Sequence, residues 1–145
     1  LIFLIQRVSE ASVTVAGTCV GAIGPGLLAL VGVRPADTPE QARRLVARVL
    51  EYRVFGDATG RMNLSLSEVR GGLLLVPQFT LAAETRKGTR PGFSTAAPPD
   101  LARGLFDVAL EEARRLHAPV ASGVFGADMQ VSLINDGPVT FWLEI

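Results

Sequence analysis

One cysteine, one histidine, one tryptophan and one tyrosine are all that this chain holds of four residue types that often carry chemistry or anchor interfaces. With Cys19 alone, no internal disulfide forms and no thiolate cage can hold a metal. With His117 alone, a Ser–His–Asp or Cys–His arrangement has to pass through that single ring. His117 stands at a predicted helix end, where the helix dipole favours a solvated histidine over a base. Clustered carboxylates are missing too, so neither a metal ligand set nor a cofactor is expected. There is no Walker loop and no dinucleotide fingerprint. Fourteen basic and fourteen acidic residues leave no net charge, which excludes a general nucleic-acid-coating protein but allows a local basic patch. The apolar start Leu1-Ile2-Phe3-Leu4-Ile5 is too short for a signal-peptide core or a membrane span. It reads as a first buried strand, and a reducing cytoplasm fits the single cysteine.

What is present describes a globular domain spanning residues 1–145. Apolar residues make up 48 % and charged residues 19 % of the 145, enough for a chain of this size to bury roughly two-thirds of its unfolded surface. Strands are predicted at Leu1–Val8, at Ser12–Val15 with a return at Cys19–Ala22, and at the apolar runs Leu27–Val33 and Leu73–Val76. Shorter strands fall at Val54-Phe55 and Met62–Leu66. One helix starts at Thr38-Pro39-Glu40-Gln41, where Thr38 caps, Pro39 suits the first helical position and Gln41 completes a capping box. A second opens at Ala97-Pro98-Pro99, with Leu101, Leu105, Val108, Ala109 and Leu116 on its apolar face and Glu112 a misfit there. The pattern predicts an α+β domain, a mixed and mostly antiparallel sheet with two main helices on one face.

Three stretches carry the functional reading. Met129–Leu133 and Val139–Leu143 alternate like strands, and Asn135-Asp136-Gly137-Pro138 between them is a dense turn cluster. Gly137-Pro138 is either an ordinary hairpin turn or a device whose carbonyl oxygens hold an ammonium group. Gln78-Phe79-Thr80 follows a buried strand. Its backbone N–H groups can stabilise an oxyanion without a titratable side chain. Thr80 as a nucleophile needs a base, and none is near in sequence. Glu84–Ser94, containing Arg86, Lys87 and Arg90, is the one concentration of positive charge.

Taken in order, Gln6-Arg7-Val8, Met62-Asn63-Leu64-Ser65, Gln78-Phe79-Thr80-Leu81, Thr85-Arg86-Lys87-Gly88, Ala96-Ala97-Pro98, Phe125-Gly126-Ala127-Asp128-Met129 and Asn135-Asp136-Gly137-Pro138-Val139-Thr140 resemble the D-aminoacyl-tRNA deacylase family over essentially the full chain. Pro77 departs from the serine usual in the family before Gln-Phe-Thr. It removes a hydroxyl and a backbone donor but leaves the amides of Phe79 and Thr80. The resemblance implies a layered, barrel-like fold and a cytoplasmic homodimer without a cofactor. It implies hydrolysis of the ester joining a D-amino acid to the terminal adenosine of tRNA. It also implies a cis Gly137–Pro138 bond that reaches from one subunit into the other's active site and faces the substrate's α-amino group. Catalysis then falls to Gln78, Phe79 and Thr80. Gly137 and Pro138 select chirality, with Met129 and Phe125 lining the pocket or interface and Arg7 supporting the turn. Arg86, Lys87 and Arg90 contact the acceptor end of the tRNA.

Overall fold

The computed structural model describes all 145 residues. A six-stranded sheet forms the centre. Its strands are β1 (Ile2–Val15), β2 (Thr18–Ile23), β3 (Gly26–Gly32), β6 (Gly72–Pro77), β7 (Val120–Ser122) and β8 (Gln130–Glu144). Their order is β2-β1-β3-β6-β7, with β8 pairing β1. The β1 pairings are antiparallel, whereas β3–β6 and β6–β7 are parallel. A separate two-stranded ribbon joins β4 (Arg53–Gly56) to β5 (Met62–Ser65).

Alternation divides the core. Phe3, Ile5, Leu27, Ala29, Val31, Leu73 and Leu75 face a cluster shared with helices α1 (Pro39–Glu51) and α3 (Pro99–Leu116). Val8, Leu28, Leu74 and Val76 face the other way, into a second cluster with Ala11, Val13 and Ile23. This second cluster is the inside of a sheet that curls almost closed. At the seam β2 meets β7 so tightly that a Cβ on Gly21 would lie 2.7 Å from the Ser122 carbonyl oxygen.

Both predicted helices form on one face, and the capping box at Thr38 and Gln41 is complete. Two shorter helical pieces add to them: α2 (Leu66–Val69), capped by Ser65 and Glu68, and a 3-10 turn at Phe79–Ala82. Leu66, expected at the end of a strand, begins α2 because Ser65 can cap it.

Two strand predictions need correction. Residues Leu1–Val8 and Ser12–Val15 are not separate strands but parts of β1. The pairing to β8 slips between Val8 and Glu10, and one extra residue switches which side chains point inward, from Val8 to Ala11 and Val13. That phase change looks like a strand break in sequence. Likewise, Gly137-Pro138 is not the turn of a hairpin. Both halves of β8 run antiparallel to the same β1. Gln6 pairs with Thr140 and Val8 with Asn135, so only Arg7 stands opposite Asp136–Val139. The turn formers make an outward bulge rather than a reversal.

His117 also differs from the solvated residue expected. It caps the end of α3 and its Nε2 lies 2.6 Å from the Gly71 carbonyl oxygen. A carbonyl only accepts, so Nε2 carries the proton and the ring pins the start of β6. Glu112, the misfit on the apolar face, is satisfied by Arg115, whose Nε donates to it at 2.9 Å. No helix is long and apolar enough to cross a membrane.

Candidate active site

Where β6 ends, the chain leaves the sheet and tightens into the 3-10 turn. The Gln78 N–H still donates to Val31 at 2.8 Å, and the first bond of the turn is Leu81 N–H to the Gln78 carbonyl at 3.2 Å. The amides of Phe79 and Thr80 therefore precede any intrahelical acceptor. Pro77 stands where the parallel ladder to β7 ends: the last bond is Gly123 N–H to the Leu75 carbonyl at 2.8 Å, and the missing N–H of Pro77 stops the ladder there.

Beside this strand end lies a cavity of about 430 Å³. Gln78 and Phe79 form one side, Phe125 and Met129 another, and Ala97, Pro99 and Ala102 a third. None of its lining residues is ionisable, and Gln78 supplies its only polar side chain. Gln78 is held by its own neighbour, because its Nε2 donates to the Thr80 hydroxyl oxygen. Four residues named from sequence, Gln78, Phe79, Phe125 and Met129, thus meet in one cavity. Thr80 stands next to it, outside the lining. No cluster of three or more His, Cys, Asp or Glu side chains is placed to hold a metal ion.

Gly137 and Pro138 are absent from that lining and exposed. The Gly137–Pro138 peptide is cis, as is Ala118–Pro119. Three side chains shape the bulge. Arg7 donates from Nε to the Asp136 carbonyl at 2.9 Å and from NH1 to the Val54 carbonyl at 2.7 Å. Asn135 Oδ1 accepts the Val139 N–H at 2.7 Å, while its Nδ2 donates to the Thr140 hydroxyl oxygen at 2.9 Å. Gln6 donates to that same oxygen at 3.3 Å. Gly137 has a φ of +142°, and an added Cβ would sit 2.7 Å from Val139 Cγ2 and 3.2 Å from an Arg7 nitrogen.

The basic loop is not the open coil its composition suggests. Glu84 and Gly92 exchange backbone hydrogen bonds at 2.8 and 2.9 Å and close its base. Glu84 also grips Arg86, accepting from its Nε at 2.9 and 3.0 Å and from its backbone N–H at 2.8 Å. The Arg86 side-chain bonds hold the Glu84 carboxyl down at about 2. Lys87 and Arg90 stand exposed on the same loop, outside every ion pair in the fold.

Sequence reasoning missed Arg103. Its guanidinium lies 4.8 Å from the centre of the ring of Phe125, a lining residue, while Arg103 itself stays outside the lining. It also passed over Ala97, Ala102, Gly126 and Ala127, whose small side chains leave the cavity open. The signal for them was the pairing of two small-residue stretches, Ala96-Ala97-Pro98 and Gly126-Ala127, with aromatic neighbours.

The fold thus sets a strand-end turn beside an apolar cavity whose lining has no ionisable side chain. Comparison with known proteins shows the family. Residues 4–144 match the family described as D-Tyr-tRNA(Tyr) deacylase, and the chain belongs to that family of hydrolases. It is 64 % identical to the D-aminoacyl-tRNA deacylase of Thioalkalivibrio sulfidiphilus (strain HL-EbGR7), over 100 % of this chain and 97 % of that one. It is 65 % identical to the protein of the same name from Pseudomonas putida (strain W619), over 98 % of both chains. A solved structure described as "c-Myc DNA Unwinding Element Binding Protein" superposes with a TM-score of 0.95 at 39 % identity, covering 100 % of this chain and 99 % of the other.

Proposed function

We propose that the protein hydrolyses the ester between a D-amino acid and the terminal adenosine of tRNA, acting in the cytoplasm as a homodimer whose active sites lie at the interface. The observation that carries this reading is the cavity whose lining contains no ionisable side chain, beside the free amides of Phe79 and Thr80. Such a site cannot supply a general base. An aminoacyl ester needs little help, because it is activated and its ribose carries a neighbouring 2′-OH. Water attacks the ester carbonyl with that 2′-OH relaying its proton. The oxyanion is stabilised by the Phe79 and Thr80 amides, which act from a fixed position and cost no reorganisation. The carbonyl–O3′ bond then breaks and the 3′-oxygen takes the proton. Thr80 acts here through its amide, and Gln78 through the bond that steadies the turn.

Chirality follows from the bulge. Gly137 and Pro138 lie outside the lining of their own chain's cavity and are exposed, which supports delivery into the cavity of a second copy. Their carbonyl oxygens hold the α-ammonium while the amides hold the ester. Two substituents remain on the α-carbon. A D side chain then points to open space, whereas an L side chain has to occupy the place of the main chain and is excluded. A backbone device suits this better than a side chain that can rotate away. Glycine, lacking a side chain, passes the filter, so glycyl-tRNA is also cleaved. Lys87 and Arg90 meet the phosphates of the acceptor end, and Arg86, neutralised by Glu84, shapes the loop that carries them.

The test is hydrolysis of D-tyrosyl-tRNA against L-tyrosyl-tRNA. Cleavage of the D-ester with the L-ester intact supports the reading. Tight tRNA binding without cleavage of either ester favours a binding protein on the same scaffold. Pro77 keeps that second reading in view, as does the DNA-element binding for which the 39 % identical protein is named.

A further inference from the structure

At the rim of the cavity, two exposed aromatic rings form a pair. Phe79 and Phe93 are 56 % and 45 % exposed, although both are large apolar side chains. Their ring centres are 5.2 Å apart with planes inclined at 48°. Phe79 lines the cavity with part of its ring. Phe93 does not. It follows Gly92, the closing residue of the Glu84–Gly92 base, so the basic loop and the aromatic pair share one anchor. Neither ring is needed for the core, since neither belongs to the two buried clusters.

We infer that Phe93, backed by Phe79, is the stacking platform for the penultimate base of the single-stranded 3′ end of the substrate. This rests on the ester reading above and extends it by one nucleotide. If the ester carbonyl lies at the Phe79 and Thr80 amides, the terminal nucleoside fills the cavity. The preceding base then falls outside it, on the Phe79 side of the rim, where the Phe93 ring lies. Lys87 and Arg90 stand on the adjoining loop without acidic partners. An aromatic face next to unpaired cations is how proteins hold single strands without reading their sequence. That tolerance suits an enzyme that serves many tRNAs, all ending in the same unpaired nucleotides. A protein partner fits less well. Two rings beside two cations make a small, charged footprint, not a broad apolar patch.

The experiment compares D-tyrosyl-tRNA with D-tyrosyl-adenosine, which lacks the penultimate nucleotide, for wild type, Phe93→Ala and Phe93→Tyr. Phe93→Ala is expected to raise KM for D-tyrosyl-tRNA roughly tenfold, the size of one lost base–aromatic stack. KM for D-tyrosyl-adenosine stays as in wild type, and Phe93→Tyr, which keeps the ring, restores the tRNA value. Equal losses on both substrates, or none on either, overturn the assignment. A second readout does not need turnover. A short single-stranded oligonucleotide ending in C, 2-aminopurine and A should lose fluorescence on binding wild type and Phe93→Tyr but not Phe93→Ala. Cleavage of neither ester by wild type removes the functional reading, while the fluorescence still decides the platform. Unchanged fluorescence with wild type removes the platform whatever the enzyme does.

Discussion

Arg7 is the one residue of β1 that faces the Asp136–Val139 bulge, and its guanidinium ties Asp136 of that bulge to Val54 of the β4–β5 ribbon, accepting nothing and donating to both carbonyls. The fork of a guanidinium spans the two acceptors at once, which an ammonium on a flexible stem does not. Arg7→Lys should therefore lose one of the two bonds and weaken the fold by about 1–3 kcal/mol. Chemical denaturation reads that loss. Selectivity between D- and L-esters should fall in the same variant, and a variant with wild-type stability and selectivity contradicts this role.

Asn135 holds the same bulge from its own strand. Asn135→Ala removes one of the two donors to the Thr140 hydroxyl oxygen and leaves the N–H of buried Val139 without its acceptor. An unpaired buried donor costs about 1–3 kcal/mol. Hydrogen exchange at the Val139 amide should accelerate sharply. Unchanged protection there would show that the backbone finds another partner.

Gly137 has no room for a side chain and sits at a φ that L-residues rarely adopt. Gly137→Ala is expected to cost roughly 1 kcal/mol or more. The strain falls in the bulge and not in the core, so far-ultraviolet dichroism should be preserved while D-ester hydrolysis drops. Global unfolding in this variant would mean that the bulge supports the whole sheet.

The loop clasp makes a prediction in pH. The bonds from Arg86 lower the Glu84 carboxyl to about 2 in the folded state. A lowered carboxylate contributes its stability above its ordinary range and loses it as pH falls through the folded value. The grip on Arg86 should thus persist through the ordinary carboxylate range and be lost only near about 2, while the backbone bonds at the base of the loop remain. Carboxyl-carbon NMR of Glu84 measures the midpoint directly. Arg86→Ala should return it to the ordinary range, and an ordinary midpoint in wild type would falsify the clasp.

Much of this architecture was legible in the chain because local rules and the fold agree. Thr38-Pro39-Glu40-Gln41 specified the start of α1 through capping alone, and the continuous apolar runs at Leu27 and Leu73 became the parallel inner pair β3 and β6. Reading failed where one residue changes the phase of a strand. The slip near Val8 hid the continuity of β1, and the turn formers around Gly137 looked like a reversal. A bulge and a hairpin draw on the same residues, and only the partner strand distinguishes them. The cavity was legible in half. Its aromatic and polar wall carries chemistry that a sequence displays, whereas Ala97, Ala102 and Gly126 matter through the space they leave. Arg86 was named for its charge, and its partner Glu84 two residues earlier, which offsets that charge at the exposed surface, was not read as its partner.

On the proposed reading, the cavity without ionisable side chains is completed by Gly137 and Pro138 of a second copy. The direct measurement uses a heterodimer isolated with two different tags, one chain carrying Phe125→Trp to fill the cavity and the other Gly137→Ala. Each variant alone should be nearly inactive on D-tyrosyl-tRNA. In the heterodimer, one site combines an open cavity with an intact bulge from its partner, so about half of wild-type activity should return, as two-fold symmetry requires. A heterodimer as inactive as its parents would contradict the claim and return chiral selection to the chain that owns the cavity.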